Sequence, residues 1–307
     1  MQLSIVLPVY NEKENVPLLY EQLIPVLENL DKKYEVIFVD DGSSDGSIEE
    51  LEKIAQKDKN VKVIEFRRNF GQTPAMQAGI DHAQGDVIVL MDSDLQNDPK
   101  DIPRLIEKIE EGYDVVSGWR KNRKDNFFTR KIPSWIANRI IRKISGIRVK
   151  DLGCSLKAYR KDVLKNVRLY GEMHRFIPIY ASWVGAKITD IVVDHHPRIH
   201  GKSKYGISRT FKVMVDIFVM KFLGHYSTKP MYFFGKIAFY NFFMAFLALI
   251  LYGYRTFKNR EFLTDRSLLI IFLFFGLGTL FIGFGLLAEL MVRTYHESQN
   301  KAIYYVK

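Results

Sequence analysis

The sequence predicts an α/β fold built on a mostly parallel sheet, followed by an interfacial helix and a two-helix transmembrane hairpin. Three observations predict it. Continuous apolar runs alternate with helix-spaced segments over the first two-thirds of the chain, acidic clusters stand where those runs end, and two long apolar stretches follow residue 230. The length of 307 residues accommodates one globular domain of about 200 residues plus a short appendage, because single cores rarely grow beyond roughly 250 residues.

The strand candidates are LSIVLP (3–8), YEVIFV (34–39), VKVIEF (61–66) and DVIVLM (86–91), with a shorter one at Asp114–Ser117. Uninterrupted apolar runs of this length belong to strands covered on both faces, as in parallel sheets. The intervening segments Glu14–Leu30, Asp45–Lys57 and Pro99–Glu111 have helical spacing, and Asp45 is placed to cap the second. Between Thr210 and Gly224 the apolar positions fall on one helical face, with Lys212 and Lys221 off it, which suits a helix lying at a membrane surface.

Ile237–Tyr254 is interrupted only by Asn241, and Ser267–Ala288 carries no charge. Each is long enough to cross about 30 Å of hydrocarbon. The charged stretch 255–266 between them makes a hairpin with both ends on one side. Its four basic residues favour an inward loop, but the larger basic block at 119–230 competes, and the loop is expected outside. No secretory leader is expected, because the first residues already read as a strand.

The net charge of +10 is unevenly divided. Residues 1–118 hold 12 Lys and Arg against 24 Asp and Glu, residues 119–210 hold 22 against 6, and residues 211–307 hold 11 against 5. An acidic first part suits divalent ions and hydroxyls, and a basic remainder beside a membrane segment suits phosphates and anionic headgroups. A single cysteine, Cys154, excludes an internal disulfide and places the soluble part in a reducing compartment.

Three polar clusters end the candidate strands, where ligands bind in open α/β sheets: Leu7-Pro-Val-Tyr-Asn-Glu12, Val39-Asp-Asp-Gly-Ser-Ser-Asp-Gly46 and Met91-Asp-Ser-Asp-Leu-Gln96. There is no GxxxxGK[ST], so phosphates are not held by a P-loop, and no GxGxxG follows the first strand, which argues against dinucleotide oxidoreductases. His195 and His196 are adjacent, so they point apart on an extended chain and read as structural.

Together the clusters resemble the family 2 glycosyltransferases of the GT-A (Rossmann-like) fold, and the resemblance covers most of residues 1–205. It implies that Pro8, Tyr10, Glu12, Asp40 and Asp41 line the base and ribose pocket of a nucleotide-sugar, with Asp92 and Gln96 also on the donor. It further implies that the Asp-x-Asp acids, Asp92 and Asp94, hold a divalent ion, Mg²⁺ or Mn²⁺, on the donor diphosphate. Hard oxygen ligands suit such ions, which neutralise charge on the leaving group.

The segment Arg198-Ile-His-Gly-Lys-Ser-Lys-Tyr205 is an RxxGxSK element similar to that of the branch containing dolichol-phosphate mannose synthase and polyprenyl-phosphate glucosyltransferases. Arg198, Ser203 and Lys204 are therefore expected on the donor diphosphate or a lipid phosphate, with Arg120 and Arg130 on the lipid phosphate. Arg123, Lys124 and Lys131 are lesser candidates, interleaved with Trp119, Phe127, Phe128 and Trp135 as at a membrane interface. Asp151, opening DLGCSLKAYR, resembles an acidic residue beside the acceptor, and with Asp94 and Arg198 completes the expected catalytic set. A lipid phosphate is already anionic, so Asp151 serves either as base or as positioner.

The resemblance implies domains at 1–209 (catalytic), 210–229 (juxtamembrane helix), 230–292 (transmembrane helices at about 231–254 and 267–289) and 293–307 (cytoplasmic tail). It implies a cytoplasmic-membrane enzyme whose catalytic domain faces the cytoplasm. That enzyme moves one hexose, with UDP-glucose the preferred donor, to undecaprenyl or another polyprenyl phosphate with inversion, making a lipid-linked donor for cell-envelope modification. Membrane lipids are expected partners and nucleic acid is not. A homo-oligomer is expected, a tetramer being the form in the resembled branch, and two spans are too few to flip the product alone. Two other family 2 readings compete, a GDP-mannose-using dolichol-phosphate mannose synthase and a processive polysaccharide synthase. The latter usually carries a QxxRW motif, in which none of Trp119, Trp135 and Trp183 lies.

Overall fold

The computed structural model describes residues 1–121, 147, 149–165, 173–199, 215, 218–219, 222–226, 229–259 and 265–298. Arg130, Ser203 and Lys204, with Arg123, Lys124, Phe127, Phe128, Lys131 and Trp135, lie outside them, as does most of the expected helix at 210–229. The chain divides into two compact units, Met1–Ile217 and Phe218–Lys307.

In the first unit, β1 (Leu3–Val9), α1 (Asn15–Glu28), β2 (Tyr34–Asp40), α2 (Ser47–Lys57), β3 (Val61–Glu65), α3 (Gln72–His82) and β4 (Val87–Leu90) alternate. A 3-10 turn (Pro99–Asp101) leads into α4 (Ile102–Glu110) and β5 (Val115–Trp119). Next come β6 (Lys157–Arg160), α5 (Lys161–Lys165), α6 (Ile177–Trp183) and β7 (Ile188–Val192). The sheet order is β3-β2-β1-β4-β6-β5-β7, and β6 alone among these strands runs antiparallel to its neighbours.

The strand runs are continuous because both faces are covered. Leu3, Ile5, Leu7 and Val9 of β1 pack with Phe38 and Val89 against Leu19 and Leu23 of α1 and Leu105 and Ile109 of α4. Val6, with Ile37, Val39, Ile88 and Leu90, faces the other way onto Ala75, Met76 and Ile80 of α3 and Ile177 of α6. This layering leaves the carboxyl ends of β1, β2 and β4 side by side, paired as Val9 with Asp40 and Val6 with Leu90. The turns after those strands carry the acidic motifs.

In the second unit, α7 (Pro230–Asn259, 30 residues) and α8 (Asp265–Ser298, 34 residues) pack together as a hairpin. Both are long and apolar enough to cross a membrane. Phe242 packs on Phe275 with ring centroids 5.4 Å apart. Gly278 lets the helices close, because a Cβ there would lie 2.7 Å from the Phe242 ring. Phe239, Leu269, Phe272 and Met291 stay exposed within this unit, as side chains facing hydrocarbon do.

Candidate active site

The turn after β1 is locked to the turn after β2. Asn11 has φ of 51°, its N–H donates to Ser43 Oγ at 2.9 Å, and its side-chain oxygen accepts from Ser44 N at 2.8 Å. Glu12 N donates to Ser47 Oγ at 2.9 Å, and Asp45 accepts from both Lys13 N and Ser47 N; the N-cap of α2 is Gly46 and not Asp45 as expected, and Asp45, one residue outside it, pins the first motif. Gly42 makes this turn possible: its φ is +69°, and a Cβ there would lie 2.4 Å from the Arg68 carbonyl carbon.

These turns open a cavity of about 250 Å³ lined by Pro8, Tyr10, Glu12, Asp41, Asp92, Asp94 and Arg198 of the expected set. Asn69, Gly71 and Gln72 line it as well. Ser93 Oγ donates to the Pro8 carbonyl at 2.8 Å, fastening the Asp92–Asp94 turn to β1. Asp41 accepts from Asn69 Nδ2, Phe70 N and Gly71 N at 2.9, 2.7 and 2.9 Å. Burial nevertheless raises its pKa, helped by the Asp40 charge. Asp40 is buried beside the turn, with one oxygen accepting from Ser43 N at 2.9 Å and the other without a hydrogen-bond partner among the described residues.

The far end of the cavity is acidic. Arg198 Nη2 bonds Asp94 Oδ2 at 2.5 Å, and Nη1 stands 3.8 Å from Glu12 Oε1. Burial, then the Asp92 charge, push Asp94 up to about 6, against the pull of Arg198. Gln72 Nε2 donates to Asp92 Oδ1 at 2.6 Å.

Other expected residues lie apart from this cavity. Gln96 Nε2 is 3.5 Å from the His196 carbonyl, and Gln96 O accepts from His196 N at 2.9 Å. His195 bridges to Asn97, and His196 Nε2 lies 3.2 Å from Asp98 Oδ2. Arg120 and Asp151 form a two-pronged buried pair, Nε to Oδ2 at 2.8 Å and Nη2 to Oδ1 at 3.0 Å. Next to them Lys157 is buried on β6, donates to the Leu152 carbonyl at 3.0 Å, and is pushed down to about 8 by burial. Burial likewise lifts the Cys154 thiol to about 11, which makes it inert.

Sequence reasoning missed Asn69 and Gln72. Asn69 lies on the loop after β3, which ends at Glu65, and Gln72 opens α3, whose N-cap is Gly71 with φ of +102°; neither carries a charge that would mark it in the sequence.

A mixed α/β sheet whose acidic turns cluster at the carboxyl ends of β1, β2 and β4 defines a GT-A-type glycosyltransferase. The fold superposes on glucosyl-3-phosphoglycerate synthase from Mycobacterium tuberculosis, solved with Mn²⁺, uridine diphosphate and phosphoglyceric acid. The TM-score is 0.56 at 16% identity, over 73% of this chain and 78% of that one. The chain belongs to glycosyl transferase family 2, whose model matches residues 4–168. A dodecaprenyl-phosphate galacturonate synthase of Rhizobium johnstonii is 42% identical over 312 residues, 100% of this chain and 92% of the relative. An undecaprenyl-phosphate 4-deoxy-4-formamido-L-arabinose transferase of Pectobacterium carotovorum is 38% identical over 307 residues, 99% of this chain and 92% of the relative.

Proposed function

We propose that this chain transfers a single sugar from a nucleotide-sugar to a polyprenyl phosphate, with inversion at the anomeric carbon. The observation that carries the donor half is the convergence of Asp41, Asp92, Asp94 and Arg198 on one cavity. The acceptor half rests on two relatives, similar over nearly their whole length, whose sugars go to dodecaprenyl and undecaprenyl phosphate, and on two helices able to hold the enzyme where such lipids lie. UDP-glucose is the first donor to test. Galacturonate and 4-deoxy-4-formamido-L-arabinose, the sugars of those relatives, follow it.

Each group has a role in this reading. Asp41 accepts hydrogen bonds from the base and ribose, Pro8, Tyr10 and Glu12 frame them, and Asp40 is buried beside the turn rather than on the cavity wall. Asp92 and Asp94 would hold Mg²⁺ or Mn²⁺, and a pair of carboxylates in which burial and then the Asp92 charge raise Asp94 fits a hard divalent cation. Bound there, the ion would stabilise charge on the departing diphosphate. Arg198 balances the same acids and donates to phosphate; Arg120, fixed by Asp151, and Arg130 are assigned to the lipid phosphate, and Ser203 and Lys204 to the donor diphosphate or the lipid phosphate. Gln96, expected on the donor, pairs instead with the His196 backbone outside the cavity and is left out of the donor set. A phosphate oxygen lone pair forms the new bond to the anomeric carbon as the bond to the nucleoside diphosphate breaks. The acceptor is anionic at neutral pH, so no strong base is needed. The reading divides the chain at 209 and 229, sets 230–292 in the cytoplasmic membrane, and faces the catalytic domain to the cytoplasm, where nucleotide-sugars are made.

The test is transfer of radiolabelled sugar from UDP- and GDP-linked donors into organic-extractable undecaprenyl phosphate, with Mg²⁺, Mn²⁺ or EDTA, for wild type and Asp94→Asn. Metal-dependent label in the lipid phase, lost in the variant, is expected. Label only in long water-soluble polymer, or none from any donor, overturns the reading.

A further inference from the structure

The segment joining β3 to α3 touches both halves of the cavity. Asn69, Phe70 and Gly71 supply the three donors to Asp41, and one residue later Gln72 donates to Asp92. The segment is firmly seated. Ala75 and Met76 are buried under the sheet, and Thr73 Oγ1 lies 2.6 Å from His174 Nδ1 in a buried contact. Gln72 therefore projects from the first turn of an anchored 11-residue helix.

The two acids of the Asp-x-Asp motif are held by opposite kinds of partner. Asp94 meets a guanidinium, which offsets part of its charge through one oxygen, whereas Asp92 meets a neutral amide. An amide restricts the carboxylate's rotation yet leaves its full negative charge, which is what an ion ligand requires. Outer partners of this kind orient ligating carboxylates and are worth about 10–100-fold in metal affinity. Resting on the donor-site reading above, we propose that Gln72 is a positioning residue that fixes the Asp92 carboxylate for a divalent ion, and that segment 69–72 ties the ion site to the base-side acid Asp41.

The experiment measures two affinities on the full chain in detergent. Free Mn²⁺ is followed by electron paramagnetic resonance during titration in the presence of UDP, and UDP binding in EDTA is followed by calorimetry. Gln72→Leu is expected to weaken Mn²⁺ by about 10–100-fold while UDP in EDTA stays within about twofold. Asn69→Ala is expected to do the reverse. If Gln72→Leu does not fold, Gln72→Met removes the same donor at nearly the same size. The proposal is overturned if Mn²⁺ affinity stays within about twofold of wild type, or if UDP in EDTA weakens by the same factor as Mn²⁺, which is the mark of a merely structural role. Wild type that binds no Mn²⁺ with UDP overturns the donor-site reading itself, and the proposal with it.

Discussion

Asp151→Asn removes the counter-charge of Arg120, and its cost follows from the burial of the pair. The side chains are only 11% and 9% exposed, the guanidinium engages both carboxylate oxygens, and Asp151 also accepts from Gly153 N at 3.1 Å. Removing one partner of such a pair strands a buried charge and costs about 3–5 kcal/mol, whereas replacing both by apolar groups is often nearly neutral. The singles Asp151→Asn and Arg120→Leu are thus each expected to lose about 3–5 kcal/mol, and Arg120→Leu/Asp151→Leu under about 2 kcal/mol. Urea unfolding in micelles, followed by tryptophan fluorescence, measures all three. The kinetic consequence is separable. A carboxylate engaged on both oxygens by a guanidinium is poorly placed to take a proton, so Asp151→Asn should raise KM for the lipid phosphate and leave the shape of the kcat–pH profile unchanged. Singles costing under about 1 kcal/mol would refute the pairing argument. Loss of an ionisation limb from the kcat profile in Asp151→Asn would refute the positioning role in favour of a base.

Two further outcomes follow from the cavity. Because the folded pKa of Asp94 is raised to about 6, the ion-free chain binds that proton more tightly than the unfolded chain does, so stability is fully present below the ordinary carboxylate range and is lost as pH climbs through 6. The shift of roughly two units corresponds to about 3 kcal/mol, and Asp94→Asn should flatten this slope in melting curves taken in EDTA between about pH 4.5 and 7.5. Gly42→Ala must adopt φ of +69° and push its Cβ against the Arg68 backbone, so it should cost about 1–3 kcal/mol in urea unfolding and abolish UDP binding by calorimetry.

What the sequence revealed divides along physical lines. β1 to β4 were legible because strands covered on both faces leave unbroken apolar runs, and α1, α2 and α4 because each buries one stripe. β6 was not legible, since Lys157-Ala-Tyr-Arg160 carries two cations. Lys157 is buried against the Leu152 carbonyl, and Arg160, partly exposed, reaches the Ile109 carbonyl 51 residues away. β7 is a half-exposed edge without alternation. α3 lacks a clean stripe because Gly79 replaces a side chain where the helix meets β1, and a Cβ there would lie 2.2 Å from Val6 Cγ1. In the site, acids at strand ends were recognisable by charge and position. Neutral donors such as Asn69 and Gln72 declare themselves only through the carboxylates they reach, and the Arg120–Asp151 pairing joins residues 31 apart that no local pattern connects.

Burial of an acid does not by itself separate function from structure, and two carboxylates of this sheet illustrate why. Glu35 sits on β2 with its side chain only 5% exposed. Desolvation pushes its pKa up, but Lys62 at 2.7 Å, Ser4 Oγ and Gln84 N at 2.6 Å outweigh that, and the net shift is downward. Its charge is fully answered by the protein, and nothing remains for a ligand to supply. Asp94 is comparably buried and is met directly by Arg198, yet its pKa rises to about 6, because burial is joined by the negative charge of Asp92 and, more weakly, of Glu12. A fold that only needed stability would relieve that repulsion, as replacing Asp92 with a neutral residue would. The sheet instead keeps both acids at the end of β4 and secures their turn to β1 through Ser93. Residual repulsion between fixed carboxylates costs the ion-free chain stability and is repaid when positive charge arrives, so it is the convergence of Asp92, Asp94 and Glu12 on one cavity, and not the direction of a shift alone, that separates these acids from Glu35.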